Sequence, residues 1–291
     1  MLQEPAASRP QTPPAQASDL PRFKGFVERW DAQAVPAAGE LDAAGVVVIC
    51  EHASNALPEG WPALGGDLGI DADTRAAHVA WDIGALGLAR GLAAGLAPGC
   101  GGAVLVHAPL SRLVYDLNRA PDHPGAMPAR SEIFEIPGNG DLTAADRLAR
   151  TRALYLPFHE TLRAEIARLV ALGRRPALIA VHSFTPVFHG ALRAVEFGVI
   201  HDDDRTLTDA VLAAAPGCGL ETRLNEPYSA AGDVTHTIRL HAGPLKLQNT
   251  MLEIRNDLIT TEAGQAAVAA RLVPVLARAL HSLEGASCPA S

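Results

Sequence analysis

Two histidines stand at the ends of apolar runs, where they could bind a metal ion or another ligand. One residue, Glu51, separates the run VVVIC (residues 46–50) from His52, and His182 is the last residue of the run ALIAVH (residues 177–182). If both runs are parallel neighbouring strands, the two imidazoles lie at the same edge of one sheet. A histidine at a strand end can equally be a hydrogen-bonded structural residue, but two in matching positions favour a functional pair.

A third group that could bind metal occurs in HVAWD, residues 78–82. His78 and Asp82 are four residues apart, so they share one face if the segment is helical. Their neighbours are mostly apolar, which favours an inward orientation over a solvated polar stripe. Two histidines and a carboxylate are a common ligand set for catalytic zinc, and three protein ligands leave the fourth position open for water.

Glu253 in MLEIRNDL is the candidate base for such a site. A metal lowers the pKa of its bound water to about 7, but a base must still accept the proton. Glu253 is a lone acid in an apolar strand, and burial raises the pKa of a carboxyl group. The alternative is a buried structural ion pair with a nearby arginine such as Arg255.

Several arginines near these motifs could bind a carboxylate. Arg112 and Arg119 occur in SRLVYDLNR, and Arg193 follows HSFTPVFHGAL. A guanidinium group binds a carboxylate through two parallel hydrogen bonds. Several arginines near a zinc site would indicate an acidic substrate, whereas each one singly is expected in a surface or structural ion pair.

Short apolar strands that alternate with helical segments predict the elements that position these residues. The pattern indicates an α/β fold with a mostly parallel mixed sheet, flanked by helices on both faces. We predict strands at 46–50, 103–108, 177–182, 196–200 and 246–255, an extended segment at 110–119 and an irregular lead-in at 21–45. We predict helices at 72–96, at 143–172 with a kink or break at Pro157, at 205–215, after a cap at Asp233, and at 261–283.

Composition limits the class of protein. The 291 residues suffice for one α/β domain, which we expect at 21–291, after a disordered tail rich in Pro, Ala, Ser and Gln at 1–20. The net charge of −8 and the lack of a basic run argue against a nucleic-acid partner. No apolar run reaches the roughly 18 residues of a membrane span, and the four cysteines form no CxxC pair. We therefore expect a cytoplasmic protein with reduced thiols and no membrane partner; the oligomeric state is not predicted.

Five motifs together resemble the N-formylglutamate amidohydrolase family, over roughly residues 45–280. In chain order they are CEHASNALPE, HVAWDIGALGLA, LSRLVYDLNR, VHSFTPV and LEIRNDLI. The family is related in fold to the zinc carboxypeptidases and aspartoacylases, so the resemblance implies that phosphorylase/hydrolase-like fold. It also implies a hydrolase that uses Zn²⁺ or another divalent metal to remove a formyl or other acyl group from an acidic N-acyl amino acid. The family's named substrate is N-formyl-L-glutamate.

The resemblance also implies roles for single residues. His52 and His182 match the metal ligands, and Glu253 matches the late acid that acts as base. Arg119, which closes the DLNR motif, would face the substrate's carboxylate, and Arg193 is the second candidate for that carboxylate.

The third metal ligand departs from the pattern of the relatives, because the zinc carboxypeptidases have Glu three residues after the first His and this chain has Asn55. We expect Asp82 to take that place rather than His78 or Glu51. Residue 51 points to the opposite side of an extended strand from residue 52. Glu51 could instead orient a ligand from behind.

The first motif reads EHASN, where the histidine-degrading members of the family have a sequence closer to PHSG. The chain therefore resembles a divergent branch, which leaves the acyl group and the amino acid open. The alternatives are a metallo-carboxypeptidase-like enzyme or other deacylase, and a non-catalytic ligand-binding protein on the same fold. Retention of His52, His182 and Glu253 favours an enzyme.

Overall fold

The computed structural model describes residues 20–30 and 45–284. The predicted disordered tail therefore lies outside the described residues, apart from Leu20. The strands are β1 (Phe26–Trp30), β2 (Val46–Cys50), β3 (Ala103–His107), β4 (Arg130–Ser131), β5 (Phe134–Glu135), β6 (Ala177–Phe184), β7 (Val187–Phe188), β8 (Ala191–Leu192), β9 (Phe197–Ile200), β10 (Thr222–Leu224) and β11 (Asn249–Arg255).

Seven strands form one mixed sheet, in the order β1-β3-β2-β6-β11-β9-β10. The four central strands β3, β2, β6 and β11 are parallel, whereas β1 is antiparallel to β3, and β9 is antiparallel to β11. The prediction of a mostly parallel mixed sheet is confirmed. The predicted irregular lead-in is wrong where β1 adds an edge strand to the sheet.

The helices are α1 (Ala72–Ala76), α2 (Ala85–Leu96), α3 (Ala144–Arg150), α4 (Leu156–Ala171), α5 (Thr206–Ala214), α6 (His236–Ala242) and α7 (Glu262–Glu284). From β2 the chain crosses over to β3, which pairs with one edge of β2. It later crosses over from β3 to β6, which pairs with the other edge of β2. Because crossovers between parallel strands are right-handed, these opposite steps put α2 and α4 on opposite faces of the sheet. Helices α2, α5 and α7 pack together as one layer, while α4 and α6 belong to the other.

The same reversal of strand order opens a crevice at the carboxyl ends of β2 and β6, where ligands bind in open α/β sheets. Both strands are buried on both faces, and β2 is at most 1% exposed along its length. A rigid, buried strand therefore leads to each of the two histidines that the sequence singles out.

The predicted helix at 72–96 is wrong in its middle, because a turn at residues 77–84 separates α1 from α2. Gly84 at the start of α2 has a φ of 80°, and a Cβ there would come within 2.0 Å of the Ile259 carbonyl oxygen. This close approach requires glycine and a change of chain direction. His78 and Asp82 therefore lie in a turn and do not share a helix face.

Two further predictions of local structure are wrong. Residues 110–119 form turns closed by their own amides, such as Val114 N–H to the Ser111 carbonyl oxygen, and not an extended segment. Asp233 does not cap a helix: it has a φ of 55° after a short 3₁₀ turn, and α6 begins at His236. The predicted break at Pro157 is confirmed, since a π-helical turn at Thr151–Tyr155 separates α3 from α4.

Helix α7 is long and apolar enough to cross a membrane, judged by length and composition alone. Its contacts are those of a core helix, because it packs against α2 and α5. Cys50 and Cys218 are free thiols among the described residues.

Candidate active site and metal centre

Three buried side chains converge where β2 and β6 end. Asp82 Oδ2 lies 2.9 Å from His182 Nδ1 and 3.2 Å from His52 Nδ1, and the two Nδ1 atoms are 3.1 Å apart. His52, Asp82 and His182 are the one group of three or more metal-binding side chains that the described residues bring together. The structure thus assembles the three residues that the sequence analysis selected, although its helix argument for Asp82 does not hold.

Backbone contacts bring the Asp82 turn to the strand ends. The Asp82 N–H donates to the His52 carbonyl oxygen over 2.9 Å, which joins the turn to the residue that follows β2. The Ser183 N–H and the Arg112 guanidinium donate to the two Asp82 carboxylate oxygens, over 3.2 and 3.3 Å. The carboxylate is therefore fixed in direction before any ligand binds.

Each histidine has a second carboxylate behind its ring. His52 Nε2 lies 2.8 Å from Asp116 Oδ1, and Arg112 donates to the other Asp116 oxygen over 2.7 Å. His182 Nε2 lies 3.2 Å from Glu51 Oε2, an ion-pair distance at an angle too bent for a well-formed hydrogen bond. A carboxylate behind a metal-binding imidazole keeps the proton on the rear nitrogen and leaves the front nitrogen as a ligand.

This arrangement fits a metal ion. With both protons on Nε2, three acceptor atoms face one another: two Nδ1 lone pairs and one Asp82 oxygen. Such a group is stable only with a cation or a proton at its centre. Zinc–nitrogen bonds of about 2.0–2.1 Å in a tetrahedral site separate the ligand atoms by roughly 3.3 Å, close to the observed separations. The donor set, two imidazoles and one carboxylate, is one that zinc uses in catalytic sites.

The electrostatics of the group also favour a positive charge. Burial alone would lower the pKa of His182, but the Glu51 and Asp82 carboxylates raise it well above its usual value. Burial alone would raise the pKa of Asp82, but the charges of His52 and His182 keep it far below its usual value. An ionised carboxylate at full burial therefore relies on cationic charge in this group.

Glu253 lies beside this group, on the neighbouring strand. It is paired in register with His182 across β11 and β6, so both side chains point to the same face of the sheet. Its Oε2 is buried and has no hydrogen-bond partner among the described residues. Burial raises the pKa of Glu253 to about 7. The predicted alternative, an ion pair with Arg255, is wrong, because Arg255 pairs with Glu196 and Asp257.

Glycine at position 198 makes room beside this carboxylate. Gly198 is paired in register with Glu253, and a Cβ on it would come within 1.9 Å of the Glu226 carbonyl oxygen and 3.2 Å of the Glu253 Cβ. The chain that follows β10 can therefore pass close over β9, which brings Tyr228 into the wall of the cavity.

A cavity of about 360 Å³ opens over the group. Its lining residues are His52, His78, Val79, Asp82, Arg112, Asp116, Asn118, Arg119, Ser131, Glu132, His182, Ser183, Phe184, Thr185, Phe188, Tyr228, Gly232, Val234, Met251 and Glu253. A concave site with a few convergent polar groups and a carboxyl group of raised pKa has the features of an active site.

The two arginines that the sequence analysis selected for a substrate carboxylate lie in different environments. Arg119 lines the cavity; it donates to the Gly232 carbonyl oxygen over 2.8 Å and has no carboxylate partner among the described residues. Arg193 lies outside the lining, with its guanidinium 4.4 Å from the centroid of the Phe188 ring and 5.2 Å from that of Tyr228. Its Nη2 also donates to the Tyr228 hydroxyl over 3.4 Å, so Arg193 supports the cavity wall from behind.

His78, the alternative third ligand, lies away from the converging group. Its Nε2 is 2.9 Å from Glu132 Oε1, and both side chains are partly exposed in the cavity wall. Glu51, the other alternative, contacts His182 from the side opposite Asp82. Its position agrees with the expectation that residue 51 could orient a ligand from behind.

Sequence reasoning missed Asp116 and Tyr228 and gave Arg112 no specific role. Asp116 and Arg112 belong to the motif SRLVYDLNR, whose turns carry both side chains to the back of His52. The clue was the density of charge in that motif. No sequence pattern indicated Tyr228, because only the folded path of residues 226–234 brings it to the cavity.

Comparisons with known proteins identify the family and the fold. The N-formylglutamate amidohydrolase family profile matches residues 44–260. Gene product Atu2144 from Agrobacterium tumefaciens is 47% identical, with 90% of this chain and 96% of that chain covered and a TM-score of 0.79. N-formylglutamate amidohydrolase from Ralstonia eutropha JMP134 is 16% identical, with 89% and 98% covered and a TM-score of 0.57, which shows a shared fold. No curated protein matches the chain.

Proposed function

The chain belongs to the N-formylglutamate amidohydrolase family and is a hydrolase of amide bonds, and from that premise we propose that it is a zinc-dependent enzyme acting on N-formyl or other N-acyl amino acids. The observation that carries the proposal is the convergence of His52 Nδ1, His182 Nδ1 and Asp82 Oδ2 beside Glu253, whose Oε2 has no hydrogen-bond partner among the described residues. A metal position, a base and an open cavity are together the parts that amide hydrolysis needs.

His52, Asp82 and His182 would hold the metal. When bound, zinc or another divalent ion lowers the pKa of a coordinated water to about 7 and polarises the carbonyl group of the amide. Asp116 is hydrogen-bonded to His52 Nε2 and keeps the proton there, and the charge of the Glu51 carboxylate, 3.2 Å from His182 Nε2, favours a proton on that nitrogen, so that both Nδ1 atoms remain available.

Glu253 would act first as base and then as acid. Its carboxylate accepts a proton from the attacking water, whose oxygen bonds to the carbonyl carbon of the amide. The C–N bond then breaks, and Glu253 returns the proton to the nitrogen of the departing amine. Formate or another carboxylic acid and the free amino acid are the products. A pKa of about 7 suits both transfers, because the group can gain and lose a proton near neutral pH.

The two cavity arginines would have separate tasks. Arg112 is held by Asp82 and Asp116, so it orients the carboxylates of the metal group and is not free for a substrate. Within the part of the chain that the structure describes, Arg119 has no carboxylate partner; it would bind the carboxylate of the N-acyl amino acid, which fixes the amide over the metal position. Arg193 supports Tyr228 and Phe188 in the wall.

The test is hydrolysis by the zinc-loaded protein. We expect formate or acetate release from N-formyl- and N-acetyl-L-amino acids, with N-formyl-L-glutamate as the reference compound. Release of a C-terminal residue from a blocked dipeptide, without deacylation, would instead indicate a carboxypeptidase. Zinc binding without turnover of either class would indicate a ligand-binding protein and would overturn the proposal.

Arg119→Gln is expected to raise KM about 10-fold or more, because a charge-assisted hydrogen bond contributes about 1.5–3 kcal/mol. The fall in kcat should be smaller, since the substitution leaves the metal group and Glu253 unchanged. Steady-state kinetics on the best N-acyl amino acid measures both. Arg271→Gln is the matched control, because Arg271 also donates to a backbone carbonyl, that of Gly219, but lies outside the cavity. An unchanged KM in Arg119→Gln would remove Arg119 from substrate binding.

A further inference from the structure

A small hairpin forms one side of the cavity mouth. Strands β4 and β5 are two residues each and are joined by Glu132 and Ile133. Ser131 and Glu132 line the cavity, whereas Ile133 is 75% exposed. The hairpin thus places one acidic side chain in the wall of a cavity that already contains the metal group, the base and Arg119.

Only one carboxylate oxygen of Glu132 has a hydrogen-bond partner among the described residues. Its Oε1 lies 2.9 Å from His78 Nε2, on the turn that also carries Asp82. No other donor among the described residues bonds to its side chain, so Oε2 remains available to a ligand. A carboxylate fixed in direction by one contact and open at the other oxygen is a preorganised acceptor.

The backbone at Glu132 is in a conformation that glutamate seldom adopts. Its φ is 53°, in the left-handed region, where glycine, asparagine and aspartate are favoured at the first position of a two-residue hairpin turn. A residue with a Cβ costs roughly 1–2 kcal/mol there. The Arg130 Nε–H braces this conformation by donating to the Glu132 carbonyl oxygen over 2.9 Å. Strain kept in a cavity wall is a reason to look for a functional contact.

We propose that Glu132 determines side-chain specificity, and that the preferred substrates are N-acyl amino acids whose side chain carries a cationic hydrogen-bond donor, as in arginine or lysine derivatives. The proposal rests on the proposed function and deepens it by naming the substrate class. A carboxylate only accepts hydrogen bonds, so it binds an ammonium or guanidinium group and repels another carboxylate. The cavity then offers Arg119 to the α-carboxylate and Glu132 to the side chain. An N-acylglutamate would instead bring its second carboxylate towards Glu132.

The experiment compares Glu132→Gln with Glu135→Gln. Glu135 lies on the same hairpin, is exposed and pairs with Arg130, but it does not line the cavity. Both variants remove one negative charge from the hairpin, so a general charge effect cancels. Because the active enzyme would hydrolyse these compounds during a titration, Kd for N-acetyl-L-arginine and N-acetyl-L-glutamate is measured by isothermal titration of the zinc-loaded wild-type, Glu132→Gln and Glu135→Gln hairpins in a Glu253→Gln background. The ratio of kcat/KM for the two compounds is the second readout.

We expect the wild type to bind the arginine derivative more tightly. Glu132→Gln should weaken that binding about 10-fold or more, since a charge-assisted hydrogen bond is lost, and should strengthen binding of the glutamate derivative. Glu135→Gln should leave both values within about 2-fold of wild type, as a surface charge does. A wild type that prefers the glutamate derivative, binds neither compound, or shows the same ratio after Glu132→Gln would overturn the proposal.

Failure of this proposal differs from failure of the proposed function. Hydrolysis of both compounds with an unchanged ratio would leave an amidohydrolase without this specificity residue. A binding preference that depends on Glu132, without hydrolysis of any N-acyl amino acid, would contradict the enzyme mechanism and keep the specificity assignment.

Discussion

Glu253→Gln is expected to lower kcat by about 10²–10⁴-fold, the contribution of a positioned general base and acid. Gln has nearly the shape of Glu but cannot accept the water's proton or return it to the departing amine. The substitution removes a buried carboxyl group that has an unpartnered oxygen, so the folded state should be at least as stable as in the wild type. Steady-state kinetics, metal content and thermal unfolding of the same preparation measure these outcomes.

The control for this prediction is Glu165→Gln, at another buried glutamate. Glu165 lies on α4, away from the cavity, and pairs with Arg29 of β1 and with Arg168 of its own helix. Its substitution should leave kcat near the wild-type value. Turnover near the wild-type level in Glu253→Gln, with metal still bound, would contradict the assignment of Glu253 as the base.

Asp82→Asn is expected to weaken zinc binding by more than about 100-fold and to abolish activity at limiting zinc. Residues behind the ligands already contribute about 10–100-fold to metal affinity, and a charged ligand contributes more. The amide side chain of the variant could still accept from Ser183 N–H, but the negative charge between the two Nδ1 atoms would be lost. Competition with a fluorescent zinc chelator gives the affinity.

His78→Ala separates this account from the alternative third ligand. His78 contacts Glu132 and does not belong to the converging group, so its loss should leave zinc affinity unchanged. The opposite pattern, with zinc retained by Asp82→Asn and lost by His78→Ala, would show that the ligand set is wrong.

The sequence was informative where a local pattern determines the position of a side chain. Uninterrupted apolar strands such as β2 and β6 are typical of a parallel sheet that is buried on both faces. The residues at the carboxyl ends of such strands meet at one edge of the sheet. This argument placed His52 beside His182. The apolar run around Glu253 likewise predicted a buried strand, which the structure confirms, and burial there raises the pKa of Glu253 to about 7.

The sequence was uninformative where contacts between distant segments decide the structure. The helix prediction for residues 72–96 failed because Gly84 passes against the Ile259 carbonyl, a contact that no local pattern contains. Asp82 reaches the site through a turn bonded to His52, and Asp116 supports His52 from 64 residues away. The acidic hairpin at Glu132 had no apolar pattern to mark it, so its place in the cavity wall was not predicted.

The most direct test of the central claim is the metal content of purified wild-type protein and of the His52→Ala/His182→Ala double variant, by elemental mass spectrometry. We predict about one zinc or other divalent ion per wild-type chain, the occupancy of a single three-ligand site, and none in the double variant. A wild type that stays free of metal when zinc is supplied, or a double variant that retains as much as the wild type, would contradict the account.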